Sequence, residues 1–359
     1  MHIMKSLTSK MAAMIISLLL LAIILPACDS GTEKEAKSSR TIIDQRGKRV
    51  KVPGEINRIV TLPIPLPSMI VAVDGNGKRI VGMHPKSKSA VEESTLKNIS
   101  PELMNVSTAF VQEGFAVNIE ELVKLQPDVV FQWKHQPEEI EKIENAGIPV
   151  IALQYGTQQD LEAWLKILGE LLDKKQQVNK IINYHHEVIN DIRNRTSTIN
   201  EKDKPRVMYL NGPEPSTNGG DSYNHFWITA SGGCNVAADI EGTGKYVNME
   251  QVLRWNPEII YIGNFCNLQA DDLFKNKIQG QDWSHVAAVK NRRVYKIPLA
   301  GYRWDPPSVE SPLMLKWLAQ KHYPEIFADY SMAAELKEFY RNIYNYELSD
   351  EEVARVLKD

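Results

Sequence analysis

Cysteine is scarce: three residues in a chain of 359, too few for a disulfide scaffold. Excess charge is scarce too. Lysine plus arginine number 42 against 45 acids, a formal net charge of −3, and no long basic run occurs, which argues against a nucleic-acid surface. Beyond residue 25 no apolar run approaches the ~18 residues of a membrane span. Also missing are a GxSxG elbow, a Walker loop, a GxGxxG turn, an HExxH helix and a CxxC pair. The chain therefore reads as no enzyme, with no resident metal and no cofactor. Cys234, in SGGCN, is read as sitting in a glycine-permitted turn rather than as a nucleophile. What is present is 43% apolar and 24% charged residues, enough for packed cores, over a length that suits about two domains.

The N-terminus has its own signature. Residues 1–10 carry Lys5 and Lys10 without an acid, and residues 11–25 are apolar apart from Ser17. Then come Leu25-Pro26-Ala27-Cys28 and a polar stretch. This order resembles a bacterial lipobox: a signal peptide over 1–27, lipidation of Cys28 and a polar linker over 28–40. A membrane anchor, or a conventional cleavage site beside an incidental cysteine, would use the same residues. Removing residues 1–27 takes away two lysines and no acid, leaving −5. The expected location is the extracytoplasmic face of the cell membrane, with Cys234 and Cys266 as the remaining cysteines. They either pair or, by default, stay two separate thiols.

The rest of the chain contains a unit that occurs twice. Residues 117–131 read VNIEELVKLQPDVVF and residues 247–261 read VNMEQVLRWNPEIIY, with Val, Asn, Glu and Pro coinciding. Each copy is a short helix, a proline that ends it, and a buried strand. Each is preceded by a strand running into a proline-rich loop (58–67 and 206–215) and followed by another strand (148–153 and 293–298). Strands alternating with helices imply parallel sheets. The fold class is α/β: two parallel-sheet lobes joined by one long rigid helix, with C-terminal helices.

Residues 174–199 lack Gly and Pro and carry apolar residues at 178, 181, 182, 188, 189, 192 and 199, one face of that joining helix. The helix before it starts at Thr157, where Thr157 and Asp160 approximate a capping box. His185, His186 and Glu187 on the long helix are expected at its surface. The expected division is an N-terminal lobe over 41–156, a helical connection over 157–200, a C-terminal lobe over 201–309 and terminal helices over 310–359. Ser349 and Glu352 form a second capping box, and Tyr340, Tyr344 and Tyr346 are expected to pack the tail onto a lobe.

Lipobox, paired lobes, joining helix and the NxExxxxxxP unit in each lobe together resemble the substrate-binding proteins of ABC importers, in the helical-backbone group that carries ferric siderophores, haem, cobalamin or molybdate. The resemblance covers about residues 41–322. It implies a monomer that docks on a permease dimer with its ATPase subunits, through an acidic residue on each lobe. The matching positions are Glu120 and Glu250.

Ligands of open α/β sheets lie outside the carboxyl ends of the strands, here the cleft between the lobes. Loops reaching it carry His84, Trp133, Tyr155, Tyr223, Trp227, Arg303 and Trp304. Cations and aromatic faces suit a bulky anion, so a ferric chelate of the siderophore kind is the leading expectation. Molybdate or tungstate, held by His84, Ser87, Tyr155 and Arg303, is the alternative, beside a corrinoid. A surface sensor that carries no cargo is a further one.

Overall fold

A computed structural model describes residues 39–358. The signal peptide, Cys28 and most of the linker lie outside the described residues. Ser39 and Arg40, expected in the linker, already belong to strand β1 (Ser39–Ile43), which pairs antiparallel with β2 (Arg49–Pro53). Arg40 anchors there on Asp173, 2.9 Å away. The hairpin turn is built on the Asp44 carboxylate, which accepts from the backbone of Arg46, Lys48 and Ala152 at 2.9–3.1 Å.

The first lobe is a four-stranded sheet of β3 (Ile59–Thr61), β4 (Ile80–Met83), β5 (Val129–Trp133) and β6 (Val150–Leu153), in the order β4-β3-β5-β6 and parallel throughout. The second contains β7 (Arg206–Leu210), β9 (Cys234–Asn235), β11 (Ile259–Ile262) and β12 (Val294–Lys296), ordered β12-β11-β7-β9 and again parallel. A small ribbon of β8 (Ser216–Thr217) and β10 (Lys245–Tyr246) stands beside it. β5, β6 and β11 are buried at every residue, as runs of Val and Ile must be when helices cover both faces of a sheet.

On the first lobe α1 (Leu66–Asp74) and α2 (Pro85–Glu93) follow β3 and β4. The repeated unit is then reproduced in detail. α3 (Ile119–Lys124) is capped by Asn118, whose side chain accepts from Glu121 N–H. Its counterpart in the second lobe, Met249–Trp255, is capped by Asn248, which accepts from Gln251 N–H. Both units end in a left-handed residue before the proline, Gln126 and Asn256, each with φ 44°. Arg58 donates to the Leu125 and Gln126 carbonyls, and Arg206 donates to the Asn256 carbonyl. These bonds satisfy carbonyls that a helix end leaves open.

α4 (Gln158–Leu171) opens with the Thr157–Asp160 capping box, and α5 (Lys175–Thr196) is the joining helix, 22 residues and about 33 Å long. α5 buries Val178, Ile181, Ile182, Val188 and Ile192. It also buries His185, contrary to the surface position expected for it. That imidazole lies between Gln158 Nε2 at 3.3 Å and the Val309 carbonyl at 3.2 Å. His186 is exposed and meets Glu162 at 2.8 Å.

The second lobe adds α6 (Tyr223–Ala230) and α7, the Met249–Trp255 helix. The chain finishes with α8 (Ser311–His322), α9 (Met332–Phe339), a π-helical turn over Tyr340–Tyr344, and α10 (Asp350–Val356) with its Ser349–Glu352 capping box. α5 packs on both α4 and α8, so it is seated in both halves of the molecule. No helix among the described residues is long and apolar enough to cross a membrane. Cys234 and Cys266 are separate free thiols.

Candidate binding cleft

The two lobes meet through the end of α2, the segment after it and the loop before α8. Glu93 of the first lobe contacts Arg303 of the second, Oε2 to Nη2 at 3.1 Å. Thr95 N–H donates to the Ala300 carbonyl at 2.9 Å. The C-terminal helix closes the same side, where Arg355 donates to Thr95 Oγ1 at 3.0 Å.

Arg303 is 7% exposed. Its Nε donates to the Asn264 carbonyl at 3.3 Å, and its guanidinium lies over the Phe265 ring, 5.1 Å from the centroid. Its Nη1, fully covered, has no hydrogen-bond partner among the described residues, and neither has the buried hydroxyl of the adjacent Tyr302. A buried donor without an acceptor costs about 1–3 kcal/mol.

The loop that carries these donors is held from beneath by one carboxylate. Glu310, wholly buried, accepts from Trp304 Nε1 at 2.8 Å, Tyr340 Oη at 2.8 Å, Tyr344 Oη at 3.3 Å and the Gly301 N–H at 3.1 Å. Burial pushes its pKa up to about 7, against the pull of these donors. A side chain at position 301 would set its Cβ 2.4 Å from Glu310 Oε1, so glycine is required by close approach. Next to Arg303, Asp305 accepts from Tyr209 Oη at 2.9 Å and from Asn264 N–H at 3.0 Å, and burial raises its pKa. Lys296 fastens the neighbouring turn by donating to the Gly263 and Cys266 carbonyls at 2.7 and 2.8 Å.

Across the cleft stands Tyr155, 39% exposed. Its hydroxyl is held well above the usual pKa by desolvation first, then by Asp305 and Tyr223 of the opposite lobe. Its ring packs on Trp133 and Trp164, and it is the first-lobe residue of the predicted set whose hydroxyl feels Asp305 of the opposite loop.

The other predicted positions have the following surroundings. His84 caps α2: Nδ1 accepts from Lys86 N–H at 3.0 Å and Nε2 lies 2.8 Å from the Gly114 carbonyl. Trp133 is buried in a ring cluster with His135, Tyr155 and Trp164. Tyr223 is buried and donates to Ser311 Oγ at 2.9 Å. Trp227 and Trp304, expected at the ligand, are interior residues at 1% and 0% exposure. Trp227 packs edge-on against Tyr209 and Tyr261, and Trp304 is committed to Glu310. Glu120 and Glu250 are both exposed, in the first turns of their matched helices, and Glu250 pairs with Arg254 at 2.9 Å.

Residues 69–299, more than half of the chain, match the family described as periplasmic binding protein. The chain belongs to the periplasmic binding protein family. Its two-lobed fold is shared with a periplasmic solute binding protein from Veillonella parvula, at TM-score 0.83 and 41% identity, covering 89% of this chain and 97% of that one. Haemophilus influenzae MolA, a molybdate-binding protein, is 27% identical over 342 residues, 89% of this chain and 95% of its own. Its molybdate-bound structure superposes with TM-score 0.75. The iron(3+)-hydroxamate-binding protein FhuD of Bacillus subtilis is 25% identical over 333 residues, 85% of this chain and 95% of its own. The binding protein thus serves as the extracytoplasmic substrate-binding component of an ABC importer.

Three site features of this binding protein escape the sequence: the Glu93 partner of Arg303, the Tyr209–Asp305 pair and the Glu310 hub. Their members lie 210, 96 and up to 34 residues apart. The one local signal was the crowding of Gly301, Tyr302, Arg303, Trp304 and Asp305 into five consecutive positions.

Proposed function

We propose that this binding protein captures a small tetrahedral oxyanion of the molybdate or tungstate kind between its lobes. The observation that carries the reading is the pair of buried, unpartnered donors, Arg303 Nη1 and Tyr302 Oη, opposite Tyr155. In the apposed arrangement of the lobes these donors are sealed from water. Parting the lobes would expose them, and an oxyanion entering there would accept charge-assisted bonds in a water-poor setting, where such bonds are strongest. A bulky chelate fits less well, because Trp133, Tyr223, Trp227 and Trp304 turn into the lobes and offer no open ring face. The likeness to a molybdate-binding relative supports the same reading.

A ferric chelate is the second reading. It is favoured by the partial exposure of Tyr155 and Phe265, 39% and 52%, and by the likeness to FhuD.

Delivery follows in both cases: the loaded protein, lipid-tethered at Cys28 and monomeric, docks on the permease dimer through Glu120 and Glu250. Calorimetric titration with molybdate, tungstate, sulfate, phosphate, ferric siderophores, haemin and cobalamin tests the cargo. Saturable binding of molybdate or tungstate, weakened about 10- to 100-fold by Arg303→Gln, is the expected result. Binding of a ferric chelate alone would replace the oxyanion with the second reading.

A further inference from the structure

Seven large hydrophobic side chains are conspicuously exposed among the described residues, and two of them occupy equivalent positions in the repeated unit. Val123 of α3 is 48% exposed and Leu253 of α7 is 41% exposed, each three residues after the glutamate at 120 or 250. Three residues along a helix return to the same face, so each lobe displays a carboxylate with an aliphatic group one turn beyond it. The neighbouring position inward, Leu122 or Val252, is wholly buried in its lobe. The helices therefore already have their core contact, and the exposed pair adds nothing to it.

We infer that Val123 and Leu253 are paired apolar anchors for the importer's membrane subunits, seated beside the docking glutamates. The partner this fits is a twofold assembly offering two equivalent surfaces, each a shallow apolar depression bordered by a basic side chain. The arrangement itself points to that partner. An isolated exposed valine or leucine is unremarkable in a soluble protein. The same exposure on both lobes, in register with an outward carboxylate, matches a partner that repeats itself by a twofold axis. Charge complementarity sets the border, since Glu120 forms no ion pair among the described residues and faces outward, and Glu250 is engaged only by Arg254 of its own helix turn. Interfaces concentrate their affinity in a few apolar groups fully desolvated at the centre, with charges around them governing encounter.

This inference rests on the docking assignment of Glu120 and Glu250, and the experiment separates the two. The full-length protein would be compared as wild type, V123S/L253S, V123I/L253I and E120A/E250A for binding to the reconstituted permease–ATPase complex of the same importer. Thermal unfolding of each variant checks that the fold is kept. Removing two aliphatic groups from a desolvated contact should weaken complex formation at least tenfold in V123S/L253S, with recovery in V123I/L253I. If V123S/L253S docks like the wild type while E120A/E250A does not, the apolar anchors are overturned and the glutamate docking survives. If E120A/E250A also docks like the wild type, both fall.

Discussion

His185 and His322 make the molecule sensitive to mild acid, and the effect can be worked from their surroundings. In the neutral form His185 is satisfied on both nitrogens, facing the Gln158 amide and the Val309 carbonyl. A second ring proton would point at a donor. His322 lies 3.0 Å from the Ser231 carbonyl through Nδ1, while its buried Nε2 has no partner among the described residues, so a proton there would be stranded. Burial accordingly lowers both pKa values to about 4, from 6.5. A histidine depressed in the folded state binds fewer protons than in the unfolded chain, so stability is lost as the pH falls from 6.5 toward 4. Between pH 7 and pH 5 the loss is about 2 kcal/mol for each histidine. Glu310 acts in the opposite sense. Its pKa is raised to about 7, so the folded chain holds the extra proton and gains about 2 kcal/mol over the same interval. For these three groups together the sum is a loss of about 1–2 kcal/mol from pH 7 to pH 5, and Asp305, raised by burial, and His84, lowered by burial, act on it in opposite senses. Urea unfolding at the two pH values, in wild type and His185→Gln, is the assay. The variant is less stable in absolute terms, yet its difference between the two pH values should shift by about 2 kcal/mol in favour of pH 5. An unchanged difference would refute the reasoning, since it would mean that the buried imidazole does not titrate against folding.

Other outcomes follow from the same geometry. Gly301→Ala should lower stability by about 2–3 kcal/mol, because its Cβ would lie 2.4 Å from the Glu310 carboxylate, and a melting temperature equal to wild type would mean that the loop can shift freely. Glu120→Ala with Glu250→Ala should abolish uptake by cells while leaving ligand affinity within about twofold, and a fall in affinity would return these residues to a structural role. Cys28→Ala should release the protein from the membrane fraction, and retention in the membrane would argue for an uncleaved anchor.

Much of this architecture was legible because it is periodic. Runs such as DVVF and EIIY mark buried parallel strands, and the unit at 117–131 returning at 247–261 carries its Asn cap and proline stop with it. The errors have definite causes. His185 sits in the gap of the apolar stripe 178, 181, 182, 188, 189, 192, the very position the helix period assigns to the buried face. Polarity argues for the surface and position for the core, and two hydrogen bonds allow the buried imidazole. Trp227 falls in α6 and Trp304 in the loop before α8, and the sequence does not reveal which aromatics turn inward. That depends on partners distant in the chain, as Tyr340 and Tyr344 are for the carboxylate that holds Trp304.

The joining helix also sets the scale on which the cleft can respond. A stiff rod of about 33 Å acts as a lever, so each degree of bend carries one end only about 0.6 Å, and the lobes part by a small stroke rather than as a jaw. Selectivity in such a molecule has to reside in groups that already stand in position, such as the side chains around Arg303. The small stroke governs whether those groups are wet or dry.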